Sequence, residues 1–214
     1  MPMKNNREYR NMIMEIRSAE KAEDGSEEKI VRGYASTFNE PYTLYQDENW
    51  RFDEVVDADA FANTDMSDVI MQYDHEGRVF ARISNNTLTV TPDERGLLIE
   101  ANLGGTELGR QLYEEIAGGY TNKMSFGFTV DADDIVDTKD DDGNVVTTRT
   151  IKSVRKLYDV SAVSLPANDA TSISVRSLTD GEIERIQAER LEAEKLELRR
   201  RKIKAKAELL GGQK

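Results

Sequence analysis

Apolar and polar residues alternate with a period of two through much of the chain up to Leu165, and that alternation predicts strands. Met12 to Arg17 is a short, mostly apolar strand candidate, followed by a charged turn over Ala19 to Glu28. Lys29 to Phe38 then alternates, with Ile30, Arg32, Tyr34 and Ser36 facing oppositely to Val31, Gly33, Ala35 and Thr37. The two stretches read together as a β-hairpin. Asn39 to Phe52 carries Pro41, aromatic residues and polar residues and reads as an irregular surface segment. Asp57 or Asp59 caps a short helix reaching Asn63, since an aspartate accepts from the free amides of a first turn. Asp68 to Tyr73 is a strand, and Val79 to Ile83, Thr87 to Thr91 and Leu97 to Leu103 form a meander broken at Asn85-Asn86 and at Pro92 to Gly96. The longest strands are Phe126 to Val136 and Val145 to Leu165, joined by an acidic segment in which Asp142-Gly143 is a strong hairpin signal.

The period changes to that of a helix in two places. Between Gly104-Gly105 and Gly118-Gly119, Thr106 serves as N-cap, Glu107 sits in the first turn, and Leu108, Leu112 and Ile116 form one stripe. Thr179 to Leu210 has no Pro, no Gly after Gly181, and abundant Glu, Arg, Lys, Ala and Leu. As one helix it spans roughly 45 Å at about 1.5 Å per residue. Its apolar residues, among them Ile183, Ile186, Leu191, Leu196, Leu198, Ile203 and Leu209, keep no clean heptad, which argues against a coiled coil. The expected fold class is α+β and mainly β, an antiparallel-rich β-barrel core surrounded by helices, with a long C-terminal helix. The expected organisation is a flexible N-terminus over 1–11, a folded domain over 12–178 and a charged helical tail over 179–214.

Composition narrows the function classes. The chain has 214 residues, enough for one core and an appendage. Its net charge of −12 is uneven: residues 181–214 hold 10 Lys and Arg against 7 Glu, or +3, which leaves 19 minus 34, or −15, for residues 1–180. A body that acidic repels nucleic-acid backbones. The absence of cysteine excludes disulfides, thiolate metal sites and cysteine nucleophiles, and a reducing cytosol suits such a chain. No apolar run approaches the roughly 20 residues of a membrane span, and Met-Pro-Met-Lys-Asn-Asn-Arg lacks the apolar centre of a signal peptide. The acid cluster Asp137 to Asn144 invites a calcium-loop reading, but with Gly143 as the central glycine the first and last ligand positions are Thr138 and Arg149. No metal site or cofactor is expected.

Three residues carry the candidate chemistry. Ser125 lies in Asn-Lys-Met-Ser-Phe-Gly-Phe, where the helix ends and a strand begins. A serine hydroxyl needs a neighbouring base to become a nucleophile. An ordinary small residue at a strand start is the competing reading. His75, the chain's one histidine, stands at the end of the strand Asp68 to Tyr73, so no second imidazole competes for the role of base. Asp74 and Glu76 flank it. Asp159, between Tyr158 and Val160, heads an apolar or small run, and a carboxylate there must be paired or lie at the strand end. A group that holds an imidazole tautomer fits that need, with Asp74 in reserve. Ser125 lies between Lys123 and Gly127 two residues to either side, so the Gly-x-Ser-x-Gly elbow of α/β-hydrolases is absent. Tyr45 and Trp50 suit either peptide binding or cover over a core edge, the second being the commoner use of loop aromatics.

Several segments are similar, as an ordered set, to the prohead (capsid maturation) serine proteases of tailed phages. They are Ile-Arg-Ser-Ala-Glu at 16–20, Val-Arg-Gly-Tyr-Ala at 31–35, Tyr-Asp-His-Glu at 73–76, Met-Ser-Phe-Gly-Phe at 124–128, Tyr-Asp-Val-Ser-Ala-Val-Ser-Leu-Pro-Ala at 158–167 and Thr-Ser-Ile-Ser-Val-Arg-Ser at 171–177. The resemblance runs over most of Met14 to Ser177 and implies a fold like that of herpesvirus assemblin. It implies a serine endopeptidase with Ser125 as nucleophile and His75 as base. Assemblins use a second histidine as third member; this chain has none, and Asp159 matches the acidic position of the phage motif. The oxyanion hole is expected from backbone amides, with an arginine such as Arg82 as a candidate helper. The implied substrates are the major capsid protein, scaffold and the chain itself, inside the immature capsid in the host cytoplasm. No nucleic acid or membrane partner is expected, and a homo-oligomer is compatible. The basic run Arg199 to Lys204 suits docking of the tail to capsid or scaffold protein. The alternative function is a non-catalytic assembly or scaffolding protein working through its C-terminal helix.

Overall fold

The structure, a computed structural model, describes residues 7–12, 17–18 and 28–164, with nine further positions between 188 and 201. The strands are β1 (Glu8–Met12), β2 (Arg17–Ser18), β3 (Ile30–Thr37), β4 (Tyr42–Gln46), β5 (Trp50–Val56), β6 (Ile70–Tyr73), β7 (Glu76–Arg82), β8 (Leu88–Pro92), β9 (Gly96–Asn102), β10 (Lys123–Lys139) and β11 (Val145–Val163). A 3-10 turn covers Ile83–Asn85, and α1 is Glu107–Ala117. The chain separates into two compact units, Met1–Ser172 and Ile173–Lys214.

The first unit holds two sheets. One has the order β1-β10-β11-β5-β4, with β6 also paired to β11 and β7 to β6; the other has the order β2-β3-β9-β8. Neither closes on itself, so the expected barrel is corrected to two open sheets. One core draws on both, with Val31 and Ala35 from β3, Leu97, Ile99 and Ala101 from β9, and Phe126, Phe128 and Val130 from β10. The expected ring of helices is corrected too, because α1 is the one α-helix among the described residues of the first unit. Thr106 caps it by accepting from the Gly109 amide at 2.9 Å. Leu112 and Ile116 reach the core while Leu108 stays 39 % exposed, so the buried stripe is Gly109, Leu112 and Ile116. A long C-terminal helix is not seen: the nine described tail positions have helical backbone, and the rest of 179–214 lies outside the described residues.

Other local differences have physical reasons. Glu8–Met12, within and just beyond the N-terminus expected to be loose, is a strand because its Arg10 is buried in ion pairs and its backbone pairs with β10. Of the predicted N-terminal hairpin, Arg17–Ser18 pairs antiparallel with β3, and residues 13–16 and 19–27 lie outside the described residues. Residues 57–63 form turns, with the Asp57 carboxylate accepting from the Asp59 amide at 3.0 Å. Residues 42–46 and 50–56 are paired strands, where Trp50 is buried and donates to Thr147 at 2.8 Å. It covers the core.

β11 is the centre of the larger sheet. β10 runs antiparallel along one side of it, while β5 and then β6 run parallel along the other, at Val145–Ile151 and Asp159–Ala162 respectively. A buried ionic cluster ties these strands to β1. Arg149 of β11 pairs with Glu54 at 2.9 Å, Glu8 at 2.7 Å and Asp133 at 2.7 Å, while Arg10 pairs with Glu54 and Glu8, both at 2.5 Å. The hydroxyl of the half-buried Tyr42 also donates to Glu54. Burial favours a neutral Tyr42, and the neighbouring carboxylate adds to this, so its hydroxyl sits well above the usual tyrosine range. Buried charges persist only when each finds a partner, and removing one partner strands the others. Arg149→Met is therefore expected to cost about 3–5 kcal/mol, read as a lower urea midpoint; a midpoint unchanged from the parent chain would show that the cluster contributes nothing net.

Candidate active site

The site forms where three neighbouring strands deliver one group each. β10 begins at Lys123 and carries Ser125, which pairs across the ladder with Ser161 of β11. Two residues further along, Gly127 pairs with Asp159. On the far side of β11, Asp159 pairs with Ile70 of β6, and β6 leads to the tip that holds His75. A strand's side chains alternate, so Ser125 and Gly127, like Asp159 and Ser161, share a face of the sheet.

The tip is a two-residue hairpin loop. Tyr73 pairs with Glu76, and the intervening Asp74 and His75 have φ of 48° and 61°. That is the left-handed pair of a type I′ turn, at a cost of order 1–3 kcal/mol for each residue that is not glycine. Neighbouring contacts hold the tip in place. The Asp74 amide donates to the Ala162 carbonyl at 2.9 Å, and the Asp74 carboxylate accepts from the Ser164 amide and hydroxyl, both at 2.9 Å. Asp74, the reserve third member, thus fastens the turn to the end of β11.

His75 Nδ1 lies 2.5 Å from Asp159 Oδ1, and His75 Nε2 lies 2.5 Å from Ser125 Oγ. The three sequence candidates are brought together in one chain of contacts. Ser161 donates to Asp159 Oδ1 at 2.8 Å, and the Arg7 guanidinium pairs with Oδ2. Burial alone would raise the Asp159 carboxyl. The hydrogen bond and charge of His75, with help from Arg7 and Ser161, outweigh it and hold the group below the ordinary carboxylate value. Ser125 Oγ has a second partner, donating to the Arg10 carbonyl at 2.8 Å. Arg82, the expected oxyanion helper, pairs instead with Asp68 at 2.6 Å, at the end of the β6–β7 hairpin opposite the tip. Among the described residues no cluster of His, Asp and Glu is arranged to hold a metal ion, and no helix is long and apolar enough to cross a membrane.

Four contributors escaped the sequence reading: Arg7, Tyr9, Gly127 and Ser161. The period-two spacing of Asp159 and Ser161, and of Ser125 and Gly127, was a usable signal for two of them. Gly127 is needed for space. A Cβ there would stand 2.3 Å from Asp159 Oδ2, 2.8 Å from Tyr9 Cε1 and 3.0 Å from Arg7 Nε. Gly127→Ala is expected to cost about 1–3 kcal/mol by overpacking and to shift the NMR signals of the single imidazole; unchanged stability and spectrum would refute the close approach. Asp159 also makes an acid-limb prediction. Its value in the unfolded chain is near 3.8 and lower when folded, so its stabilisation is complete above that pH and is lost as pH falls through the folded value. Asp159→Asn should be less stable at neutral pH and lose less on acidification, as measured by denaturation at both pH values; a parallel acid limb in the two proteins would contradict this.

No curated protein and no solved structure matches the chain. The family model described as Caudovirus prohead serine protease matches residues 14–185, which include Ser125, His75 and Asp159. That range covers well over half of the 214 residues. The chain belongs to the caudovirus prohead serine protease family, and is a serine-type peptidase of phage capsid maturation.

Proposed function

We propose that Ser125 is the nucleophile, His75 the general base and Asp159 the orienting carboxylate of an endopeptidase that cleaves the major capsid protein and scaffold, and its own chain, inside the prohead. The observation that carries this reading is the unbroken series Asp159 Oδ1, His75 Nδ1, His75 Nε2 and Ser125 Oγ, with both intervals at 2.5 Å. Nδ1–H donates to Asp159 and leaves Nε2 free to accept. Ser125 then gives its proton to Nε2 as Oγ bonds to the substrate carbonyl carbon. The imidazolium formed is stabilised by Asp159. When the tetrahedral intermediate collapses, the C–N bond breaks and Nε2–H protonates the leaving amine. Water, deprotonated by the same nitrogen, attacks the acyl-serine ester, and Ser125 recovers its proton as the new carboxylate leaves.

The supporting chemistry is consistent across the site. Burial strengthens the field of Asp159 on the imidazole, and the hydroxyl of Ser161 keeps that carboxylate oriented. Capsid-related proteins are the substrates that the family implies, and autolysis extends that reading to this chain.

Co-expression of the chain with its cognate capsid protein is expected to give new termini by mass spectrometry, and the Ser125→Ala form is expected to give none. Identical termini in both forms would exclude Ser125 as the nucleophile.

A further inference from the structure

The groups that this reading makes reactive are closed off by the chain's own N-terminal strand. Ser125 and Asp159 have 0 % exposed surface, and the His75 side chain has 14 %. β1 lies antiparallel on the edge of β10, with Asn11 opposite Ser125, Arg10 opposite Phe126 and Tyr9 opposite Gly127. Its backbone meets the nucleophile directly, since the Arg10 carbonyl accepts from Ser125 Oγ at 2.8 Å. The side chain of its Tyr9 and that of Arg7, just before it, meet the other two groups. The Tyr9 ring packs against the His75 ring with centroids 4.4 Å apart, and Arg7 pairs with Asp159 while lying over the Tyr9 and Tyr158 rings. No peptide carbonyl can reach Ser125 Oγ while β1 is in place.

These are the contacts by which an extended peptide is held at a sheet edge, with main-chain hydrogen bonds along the ladder and pockets for alternate side chains. We propose that the edge of β10 beside Ser125 is the substrate-binding site, that the substrate enters as an antiparallel strand in place of β1, and that β1 keeps the site closed until it is replaced. The inference rests on Ser125 being the nucleophile. Two further observations support it. The family match begins at residue 14, after β1, so the strand that covers Ser125 stands apart from the matched region. The opposite face of β1 favours replacement over simple departure. Glu8 and Arg10 complete the buried cluster of Glu54 and Arg149, so an empty edge leaves buried charge short of partners. An incoming strand with an acid and a base in the same alternate positions restores it.

The chain has no cysteine, which allows a reversible lock. Met12 and Met124 are directly opposed across the β1–β10 ladder, and opposed antiparallel residues stand about 4.5–5.5 Å apart at Cα, within the range a disulfide spans. In the full chain carrying Met12→Cys and Met124→Cys, labelling of Ser125 by a fluorophosphonate is expected to be at least about tenfold slower when oxidised than when reduced, and to recover on reduction. Equal rates in the two states would overturn the proposal. If Ser125 is labelled in none of the reduced variant, the parent chain and the Tyr9→Ala chain, and the Ser125→Ala form still gives the new termini on co-expression, the nucleophile reading itself falls and takes this inference with it. Should the cysteine pair fail to fold, Tyr9→Ala carries the test: removal of the ring from His75 should speed labelling severalfold, and an equal or lower rate would overturn the proposal.

Discussion

The carboxylate of Asp159 is buried to the last atom, and a buried charge is tolerated only where enough donors surround it. That requirement organises the site. Two neighbouring segments and β11 itself supply the donors: His75 from the β6–β7 tip and Ser161 from two residues further along its own strand act at Oδ1, and Arg7 acts at Oδ2 from just before β1. The same requirement explains the bare backbone at Gly127, since a side chain there would occupy the space of Oδ2 and of Arg7. It also gives a reason for the strained tip. His75 reaches Asp159 from a type I′ turn, and the hydrogen bonds of Asp74 to Ala162 and Ser164 offset the cost of holding two non-glycine residues at positive φ.

A second buried cluster lies on the other face of β1. Glu8 and Arg10 point into it, while Arg7 and Tyr9 point to the site, as alternation along a strand demands. Five residues there, Glu8, Arg10, Glu54, Asp133 and Arg149, carry two positive charges against three negative ones. Burial alone would raise the Glu8 carboxyl, yet Arg10 and Arg149 bring it below the ordinary value. β1 is thus fixed by charge on one face through Glu8 and Arg10, and beside the other through Arg7. An element held this way exchanges more readily for a strand of similar charge pattern than for an apolar one.

Much of the strand content and the three candidate residues were legible because they rest on short-range signals. Alternation located β3, β9, β10 and β11 closely, and the Thr106 cap with flanking glycines located α1. His75 stood out as the only imidazole, and Asp159 as a carboxylate in a run with no solvent-facing excuse. What escaped depends on pairing between distant segments. Nothing local distinguishes a barrel from two open sheets; β11's partners β5 and β6 on one side decide that. Arg149 stood out in the sequence only as a residue that rules out a calcium loop, and its role as hub of a buried cluster needs Glu8 and Glu54 beside it. The polar stretch around Glu8–Met12 read as loose because the partners that bury its charges, Glu54 for Arg10 and Arg149 for Glu8, lie more than forty positions away.

The hydroxyl of Ser125 carries one proton and stands between two acceptors. Arg10 O lies 2.8 Å from Oγ, and His75 Nε2 lies 2.5 Å from it. When Nδ1–H is committed to Asp159, Nε2 can only accept, so a proton donated to the Arg10 carbonyl is withheld from the base. Under the nucleophile reading, β1 therefore opposes reaction in two ways: it excludes the substrate, and it draws the reactive proton away from His75. Both effects end together when β1 leaves the edge of β10. The Arg10 carbonyl is lost as an acceptor, Nε2 becomes the remaining partner of the hydroxyl, and the incoming strand brings a carbonyl carbon to the oxygen that has been freed.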